Sequence, residues 1–438
     1  MSDIKQCAYM LPKKRRRCRM KALAEYDCCG EHLLNVAPDA EHDRIVCPLD
    51  STHTCFGSLL EKHLKKCNAR NKNSQIYFVE NRNSGIQSSC PLRKVTLNSL
   101  SDAQLEAVIT KMKSVYKRHV TEPHWHLNRG GEEPEEEIRR FAGSTVARKH
   151  LMQQAALLGL AREHGLLGQK DVCYAEFGAG RGRLTYWIAK SVSKQGCSVL
   201  LVDRAAPRHK ALSCRRRHAV VCKVSIVARG RRRHLAITEE AFENKLDDAG
   251  TRVERIRIDI RHLELGNVES VERHSGKVVG FCKHLCGEAT DFALRCMTAT
   301  DTKLRLQGAV MAVCCHHRCS WNSFVGRSHL ESWDISEADF AVLRCLAGWA
   351  TCACSRHGSE PDREEQQNGG CNLQRTSRLG ISVAERQEIG RRCKLLLDTA
   401  RVAHLARLGF MATMVYFVSP SVTPENVAIL VLPSHPGD

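Results

Sequence analysis

Ionisable side chains follow two apolar, strand-like runs of the sequence. The first run, residues 278–287, ends in Lys283 and His284, and Asp291 opens the helical pattern behind it. The second run leads into His317. Substrates meet cofactors at the carboxyl ends of parallel strands, and these side-chain types can accept, donate or orient protons there. We therefore expect catalytic residues among Lys283, His284, Asp291 and His317.

A cluster of sulfur and imidazole groups surrounds His317. Its members are Cys314, Cys315, His316, Arg318 and Cys319. Adjacent ligands are poorly placed to converge on one ion unless other ligands come from elsewhere. The preferred interpretation is therefore a polar active-site cluster rather than a third zinc site. Core thiols at Cys314 and Cys315 are the alternative.

Three alternate glycines, Gly178, Gly180 and Gly182, follow a strand-like run containing Glu176 and precede an apolar helical pattern. Glycines permit a sharp turn and the close approach of a ligand. A dinucleotide fingerprint has its third glycine at the sixth place, which Arg183 occupies here. The loop therefore favours S-adenosylmethionine over NAD, with Glu176 and the glycines as candidate contacts. A tight turn without a ligand is the alternative.

Two aspartates follow the loop at the ends of further strand-like runs. Asp203 ends an apolar run one helix after the glycines, and Asp259 lies in a third run at 256–260. Asp203 is expected to accept the ribose hydroxyls of a nucleoside, and Asp259 an adenine amino group. Either one alone is a typical solvated strand end. Together, in this order, they predict a cofactor pocket at the carboxyl ends of parallel strands.

The N-terminus carries a first set of zinc-type ligands. Cys7, Cys18, Cys29 and His32 supply three thiolates and one imidazole, which suits a tetrahedral zinc site. Cys28 competes with Cys29, but Cys29 and His32 lie close enough to share one turn. So short a segment would draw its folding energy from the metal.

A second set consists of Cys47, His53, His63 and Cys67. Residues 59–67 have a helical pattern, so His63 and Cys67, four residues apart, would share one face of a helix. Both sets together predict two structural Zn²⁺ ions. Buried cysteines without metal are the alternative for each.

Bulk composition bounds the partners. The 438 residues are 42% hydrophobic, and 67 basic residues outnumber 48 acidic ones to give a net charge of +19. Such an excess favours a polyanion such as RNA, although a merely soluble basic protein is also consistent. No apolar run reaches membrane-spanning length and no signal-peptide core begins the chain. We expect an intracellular protein of the nucleus or cytoplasm that binds no membrane and needs no obligate protein partner. Its 23 cysteines are then expected to be metal ligands or core thiols.

The remaining patterns describe the elements that position these residues. Helices are expected at 100–120, where Ser101 and Gln104 form a capping box, at 146–167 and at 383–408, with another after the acidic run 132–137. Runs at 411–418 and 427–431 predict a terminal antiparallel hairpin. A linker or docking segment is expected at 68–89, and surface insertions at 213–250 and 355–370. The basic run 13–17 is either a phosphate contact, a nuclear signal or a solvated loop.

These motifs resemble a known family, the eukaryotic tRNA ribose 2′-O-methyltransferases with CCCH and CHHC zinc fingers, which modify the fourth nucleotide of the acceptor stem. The resemblance covers nearly the whole chain and rests on residues 29–32, 47–67, 177–182, 283–287, 290–291, 314–321, 380–383 and 416–420. The motifs at 283–287 and 314–321 are more specific than the glycine loop. The arginine-rich segment 213–250 is longer than the family pattern requires.

The resemblance implies an α/β, Rossmann-like class I methyltransferase with a mostly parallel seven-stranded sheet, preceded by two small zinc-finger modules. The implied boundaries are 1–36 for the CCCH finger, 43–70 for the CHHC finger, 71–145 for a linker and helical segment, and 146–434 for the methyltransferase domain. It implies transfer of the methyl group of S-adenosylmethionine to a tRNA ribose. Lys283 would stabilise negative charge on the attacking oxygen or accept its proton, and the other candidate bases, in order, are His284, His317 and His316. Asp291 and Arg318 would orient them.

A non-catalytic zinc-finger RNA-binding protein with a degenerate methyltransferase fold is the alternative function. The intact Glu176, the glycines and Asp203 argue against it. Methylation of a protein or small molecule, and dehydrogenase activity, are less consistent with the fingers, the charge and Arg183.

Overall fold

The structure, a computed structural model, describes residues 5–11, 16–23, 26–36, 43–67, 75–86, 95–126, 145–193, 195–204, 251–299, 304–351, 376 and 379–434. The chain forms two compact units, Met1–Gln75 and Ile76–Asp438. Within the described ranges, no helix is both long and apolar enough to cross a membrane.

The first unit consists of short elements gathered around sulfur atoms. They are β1 Met10–Leu11, β2 Arg16–Arg17, α1 Leu33–Val36, β3 Arg44–Cys47, β4 Asp50–Phe56 and α2 Leu60–Lys66. The strands pair as two antiparallel ladders, β1 with β2 and β3 with β4. One buried cluster contains four cysteines and a single larger apolar residue, Leu33. So small a core cannot offset the entropy of ordering the chain without a further contribution.

The second unit is an α/β structure. Its strands are β5 His124–Trp125, β6 Cys173–Phe177, β7 Ser198–Asp203, β8 Arg252–Arg257, β9 Lys277–Leu285, β10 Arg305–Val313, β11 Phe410–Tyr416 and β12 Val427–Pro433. Its α-helices in the described ranges are α3 Asp102–His119, α4 Thr145–Glu163, α5 Arg183–Ser191, α6 Glu269–Glu272, α7 Glu288–Met297, α8 Arg327–Ser332, α9 Glu337–Ala347 and α10 Val383–Arg407.

The strands form one sheet in the order β5-β11-β12-β10-β9-β6-β7-β8. Only β12, among these described strands, runs antiparallel to its neighbours. The predicted mostly parallel sheet and terminal hairpin are therefore confirmed. The described part of the sheet has eight strands, one more than the seven predicted. The extra strand, β5, pairs with β11 through two residues, too few to show a period-two pattern in the sequence.

The central strands are buried on both faces. All five residues of β6 are buried, and alternate side chains of β6 enter different clusters: Ala175 and Phe177 one, Tyr174 the other. A fully buried Leu or Phe contributes about 1.5–3 kcal/mol, so these two layers fix the sheet. Because both faces are covered, the sheet presents its strand ends, rather than its faces, to a ligand.

A third apolar cluster joins α3, α9 and α10 at the β11 end of the sheet. Helix α3 begins with the predicted capping box, in which Gln104 N–H donates to Ser101 Oγ at 3.1 Å. Helix α10 begins with a similar box from Ser382 and Glu385. Its 25 residues carry Arg401 towards the ends of the central strands.

The segment 76–86, here called the strap, lies against the chain that follows β8. A bridge joins Phe78 to Leu263. The Asn83 side chain donates to the carbonyls of Ile260 and Leu263, at 2.7 and 2.8 Å. Asn83 is buried, so these bonds satisfy its amide and hold the strap in one register. This part of 68–89 is thus a docked segment.

Several expected features fall wholly or partly outside the described residues. These are most of the basic run 13–17, the acidic run 132–137 and the two insertions 213–250 and 355–370. The third strand ends at Arg257, earlier than the predicted 256–260. Asp259 therefore begins the 3-10 turn Ile260–His262 instead of lying within a strand.

Candidate functional site

The three glycines form a left-handed loop between β6 and α5. Their φ angles are +69° at Gly178, +52° at Gly180 and +70° at Gly182, values that side chains disfavour. A Cβ added at Gly178 would lie 2.9 Å from a Leu285 methyl carbon, whereas one at Gly180 would have no atom within 4 Å. The backbone at Gly180 therefore borders open space, which a ligand can approach.

Hydrogen bonds hold the Gly180 backbone through both its N–H and its carbonyl group. Its N–H donates to Asp203 Oδ2 at 2.8 Å, and its carbonyl accepts from Arg255 Nη1 at 2.9 Å. Asp203 ends β7 and Arg255 lies in β8. Two neighbouring strands thus fix the loop before any ligand binds, which lowers the entropic cost of binding.

Glu176 lies beneath this loop and is buried. It accepts from the Thr185 N–H at 2.7 Å and from the Thr185 hydroxyl, at the start of α5. Burial raises the pKa of Glu176 to about 7, although the Thr185 bonds oppose that rise. Its contacts fasten β6 to α5, so Glu176 supports the loop from within.

Asp259 is partly buried just beyond β8. Its Oδ1 accepts from the Arg261 N–H at 3.0 Å, and Arg204 lies 3.9 Å from its Oδ2. Asp203 ends β7 and Asp259 follows the adjacent parallel strand β8, so both lie at the strand-end edge beside the glycine loop. This is the arrangement expected of a nucleoside pocket.

Lys283 lies near the end of β9, the strand next to β6. Its Nζ is 3.3 Å from His150 Nδ1 and 3.4 Å from the His150 carbonyl oxygen, on α4. Burial lowers the pKa of Lys283 to about 8; the Glu176 carboxylate opposes this effect and Arg183 adds to it. With a pKa of about 8, roughly a tenth of Lys283 is uncharged at pH 7 and about half at pH 8, and this uncharged fraction can accept a proton.

Two histidines flank this lysine. Burial and the Lys283 charge lower the pKa of both His150 and His284. Their rings meet edge to face at 6.3 Å. His284 has a φ of +65°, a strained value for a residue with a side chain. His284 is the extra residue at a β-bulge, since Lys283 pairs with Ala312 and Leu285 with the next residue, Val313, and such a bulge re-aims the neighbouring side chains.

Asp291 lies away from solvent, in a buried ionic network. Arg401 binds both of its carboxylate oxygens, at 3.1 and 2.7 Å, and reaches Asp398 Oδ1 at 2.8 Å. Asp398 Oδ2 then lies 2.8 Å from His316 Nε2. The network joins α7, α10 and the turn after β10. Asp291 is thus placed to position the strand ends, and its carboxylate is engaged by Arg401.

The turn His316–Arg318 follows β10. His316 is buried, whereas His317 and Arg318 are exposed. Cys319 is buried, and its Sγ lies 3.1 Å from Arg401 Nη2. The turn therefore presents His317 to solvent and anchors itself through the residues on either side.

Cys314 and Cys315 lie beside a third thiol, Cys286, from the loop after β9. Cys286 Sγ is 3.6 Å from Cys314 Sγ and 3.1 Å from Cys315 Sγ. Hydrogen bonds from those two thiols lower the pKa of Cys286, and the positive charge of Arg318 contributes to this effect. The sequence does not predict Cys286 beside Cys314 and Cys315, because the pairing of β9 with β10 is a long-range feature.

The first predicted ligand set converges in the N-terminal unit. His32 Nδ1 lies 3.5 Å from Cys7 Sγ and 3.3 Å from Cys29 Sγ, and Cys18 Sγ lies 4.0 Å from Cys29 Sγ. The four donors lie within 4.8 Å of one another, and the group contains Cys29 rather than Cys28. Three sulfurs and one imidazole nitrogen form a donor set that suits zinc.

The second set converges in the same way. His63 Nε2 lies 3.1 Å from Cys47 Sγ and 3.3 Å from His53 Nε2, and Cys67 Sγ lies 3.6 Å from Cys47 Sγ. Helix α2 carries His63, and Cys67 follows its last residue. One short helix and the β3–β4 hairpin therefore supply all four donors.

Four residues of these sites were missed by sequence reasoning: His150, Arg255, Arg401 and Cys286. Each acts on a partner far away in the sequence; His150 and Lys283, for example, are 133 residues apart. An isolated histidine or arginine on a helix or strand gives no periodic signal. Cys286 was visible within the motif 283–287, but nothing local indicated its partners.

Comparison with known proteins gives consistent matches along the chain. A family model described as "Methyltransferase TRM13" matches residues 152–432. A "CCCH zinc finger in TRM13 protein" matches residues 5–33, and a "U11-48K-like CHHC zinc finger" matches residues 44–68. The two finger matches enclose the two converging ligand sets.

Three relatives are similar over most of their length. The mouse protein, named "tRNA:m(4)X modification enzyme TRM13 homolog", is 32% identical over 98% of this chain and 95% of its own. The human protein of the same name is 30% identical with the same coverage. The Schizosaccharomyces pombe "tRNA:m(4)X modification enzyme TRM13" is 29% identical over 89% of this chain and 95% of its own.

Proposed function

The chain belongs to the TRM13 methyltransferase family, and from this premise we propose that it methylates tRNA at a ribose 2′-hydroxyl of nucleotide 4, with S-adenosylmethionine as methyl donor. The observation that carries the proposal is the left-handed glycine loop beside Lys283, inside the region that the family model matches. The names of the relatives supply the expectation of tRNA and of position 4.

S-adenosylmethionine fits the open backbone at Gly180. Gly178, Gly180 and Gly182 would form one wall of its site, Asp203 would accept its ribose hydroxyls and Asp259 its adenine amino group. Glu176 would hold the loop in place through Thr185. When bound, the cofactor supplies an electrophilic methyl group. Because these residues lie at the strand ends of a mostly parallel sheet, we propose that residues 146–434 form a Rossmann-like class I methyltransferase domain.

Lys283 is proposed as the proton acceptor for the attacking ribose oxygen. A ribose hydroxyl is a weak acid, so its oxygen attacks faster when a base removes the proton. The lowered pKa of Lys283 supports the base role over the alternative role of a permanent cation. His150, 3.3 Å from the Lys283 Nζ, would orient the amine and relay the proton.

The other predicted catalytic residues have distinct proposed roles. His284 is a second base candidate, since its ring is held neutral by burial and by Lys283. Exposed His317 and Arg318 would contact the RNA beside the reacting ribose. Asp291 is a positioning residue, which acts through Arg401 and the turn after β10. Correct alignment of oxygen and methyl group can supply a large part of the rate.

The N-terminal unit is proposed to bind RNA through its two zinc-finger modules. Cys7, Cys18, Cys29 and His32 would hold one Zn²⁺, and the second set, from Cys47 to Cys67, the other. A-form stems are recognised by shape, phosphate and 2′-hydroxyl contacts. The net charge of +19 favours such contacts. We propose the nucleus or cytoplasm, where tRNA is processed, as its location.

The deciding experiment offers the purified full-length protein total tRNA and S-adenosylmethionine labelled in its methyl group. Nuclease digestion and mass spectrometry then locate the label. We expect a 2′-O-methylated nucleotide at position 4. Label on a base would refute the ribose chemistry and keep the enzyme class. No transfer by zinc-loaded protein that binds the cofactor would refute the proposed activity and leave the non-catalytic RNA-binding alternative.

A further inference from the structure

Cys286, Cys314 and Cys315 meet because two neighbouring strands end together. In the parallel pairing of β9 with β10, Leu285 is opposite Val313, so the next residues of both strands are cysteines. The crossing is tight: a Cβ at Gly287 would lie 2.5 Å from Arg318 atoms. Close packing therefore holds the two strand-end loops against each other. The packing of the backbone brings the three thiols together.

The three sulfurs are spaced like metal ligands. Their separations are 3.1, 3.6 and 3.6 Å, and all three thiols are free. A disulfide needs about 2.05 Å, whereas tetrahedral zinc with Zn–S bonds of about 2.3 Å places sulfurs about 3.8 Å apart. In the two zinc-finger sets, Cys18 Sγ lies 4.0 Å from Cys29 Sγ and Cys47 Sγ lies 3.6 Å from Cys67 Sγ. Two of the three triad separations equal the shorter of these distances.

From this geometry we infer that Cys286, Cys314 and Cys315 bind a third Zn²⁺ at the end of β9 and β10. Each thiol releases its proton to solvent as its Zn–S bond forms. Three thiolates on one Zn²⁺ leave a net charge of −1, and Arg318 is close enough to Cys286 to act on it electrostatically. Thiolates select such soft ions over Mg²⁺ or Ca²⁺.

The site differs from the fingers in having three protein donors. Among the described residues, the group within 4.8 Å contains only these three cysteines. Cys286 and Cys315 are partly exposed, so water can complete a tetrahedral site. The ion would tie the end of β9, which carries Lys283 and the strained His284, to the turn that carries His317. It would thereby fix the relative position of two proposed catalytic segments.

The test counts zinc in the full-length protein, purified under reducing conditions and dialysed against metal-free buffer. Wild type should hold three Zn²⁺ per chain, two in the fingers and one in the triad. Cys286→Ser should hold two, Cys29→Ser two, and the double variant one. Cys345→Ser is the matched control: Cys345 is also partly exposed but lies on α9, and its variant should keep three. Two Zn²⁺ in wild type, unchanged by Cys286→Ser, would overturn the proposal.

A second measurement needs no variant and so survives a folding defect. Iodoacetamide labelling followed by peptide mapping should leave Cys286 and Cys315 unmodified in zinc-loaded wild type and modify both after chelation. Immediate modification of both cysteines before chelation would contradict the assignment. So would a disulfide between them in protein purified under reducing conditions. Both measurements are independent of methyl transfer, so they can fail while the proposed activity stands.

Discussion

Lys283 is the residue on which the proposed chemistry depends most. Its amine is surrounded by His150 on α4, Glu176 on β6, Arg183 on α5 and its neighbour His284. Burial makes the protonated form unfavourable in the folded protein, so the pKa lies near 8 instead of 10.5. If Lys283 is the base, single-turnover methyl transfer should rise with pH through about 8 and level off above it.

Lys283→Arg should remove that rise, because arginine stays protonated, and lower the rate about 100-fold or more. Lys277→Arg, at the start of the same strand, is the matched control and should behave like wild type. A rate that falls as pH passes 8, together with an active Lys283→Arg, would instead assign Lys283 as a cation that stabilises the oxygen.

The glycine loop can be tested as an element because the chain offers a matched pair. Gly180 and Gly165 both have positive φ, +52° and +66°, and a Cβ at either would meet no atom within 4 Å. Alanine should cost each about 1 kcal/mol of stability through backbone strain. Only Gly180→Ala should also weaken S-adenosylmethionine binding, about tenfold or more, as measured by calorimetry. Equal cofactor affinity in both variants would remove the loop from the pocket.

The buried network is the second element-scale device. Arg401→Met leaves the Asp291 and Asp398 carboxylates buried without their cation, so we expect a loss of about 3–5 kcal/mol in urea unfolding. Arg273→Met removes a surface partner of Glu269 and should cost less than about 1 kcal/mol. A similarly small loss of unfolding free energy in both variants would show that the Arg401 network does not stabilise the fold.

The elements themselves were largely predictable, because their signals are local. Each signal lies within a short stretch of sequence: the capping boxes, the alternate glycines and the apolar runs at 278–287 and 308–313. Because Lys283, His284 and Asp203 lie at the ends of such runs, their position at one edge of the sheet could also be predicted. Pairwise partners were not predictable, since Arg401 meets Asp291 only after α7 and α10 pack. The two-residue strand β5 is likewise created by its neighbour β11.

At the scale of the whole molecule, the two units should differ in what stabilises them. In the described part of the N-terminal unit, few apolar side chains are buried around the first ligand set, whereas the second unit contains three large apolar clusters. A strong zinc chelator at pH 7 should therefore abolish hydrogen-exchange protection in residues 5–67 and leave β6, β7 and β10 protected. Acidification should act similarly, because protons compete with zinc for thiolate and imidazole.

Re-addition of Zn²⁺, with Mg²⁺ as the control ion, should restore protection in 5–67. Protection that persists in metal-free protein would show that apolar packing alone folds the fingers. tRNA affinity measured on the same samples should fall and recover with the protection, and persistent affinity would remove the fingers from RNA binding.

The strap bears on where this chain can be divided. Asn83 fills hydrogen-bonding positions of Ile260 and Leu263, the backbone that continues from Asp259. The residues just after the fingers in sequence therefore fold as part of the second unit. They pack against the backbone that follows β8, next to Asp259. A finger-less protein begun after Cys67 should retain 76–86. One begun at α3 would expose those carbonyls and the part of the apolar cluster around Leu263 against which Tyr77 and Phe78 pack. The folded border of the second unit thus lies near residue 76, well upstream of residue 152, where the family match begins.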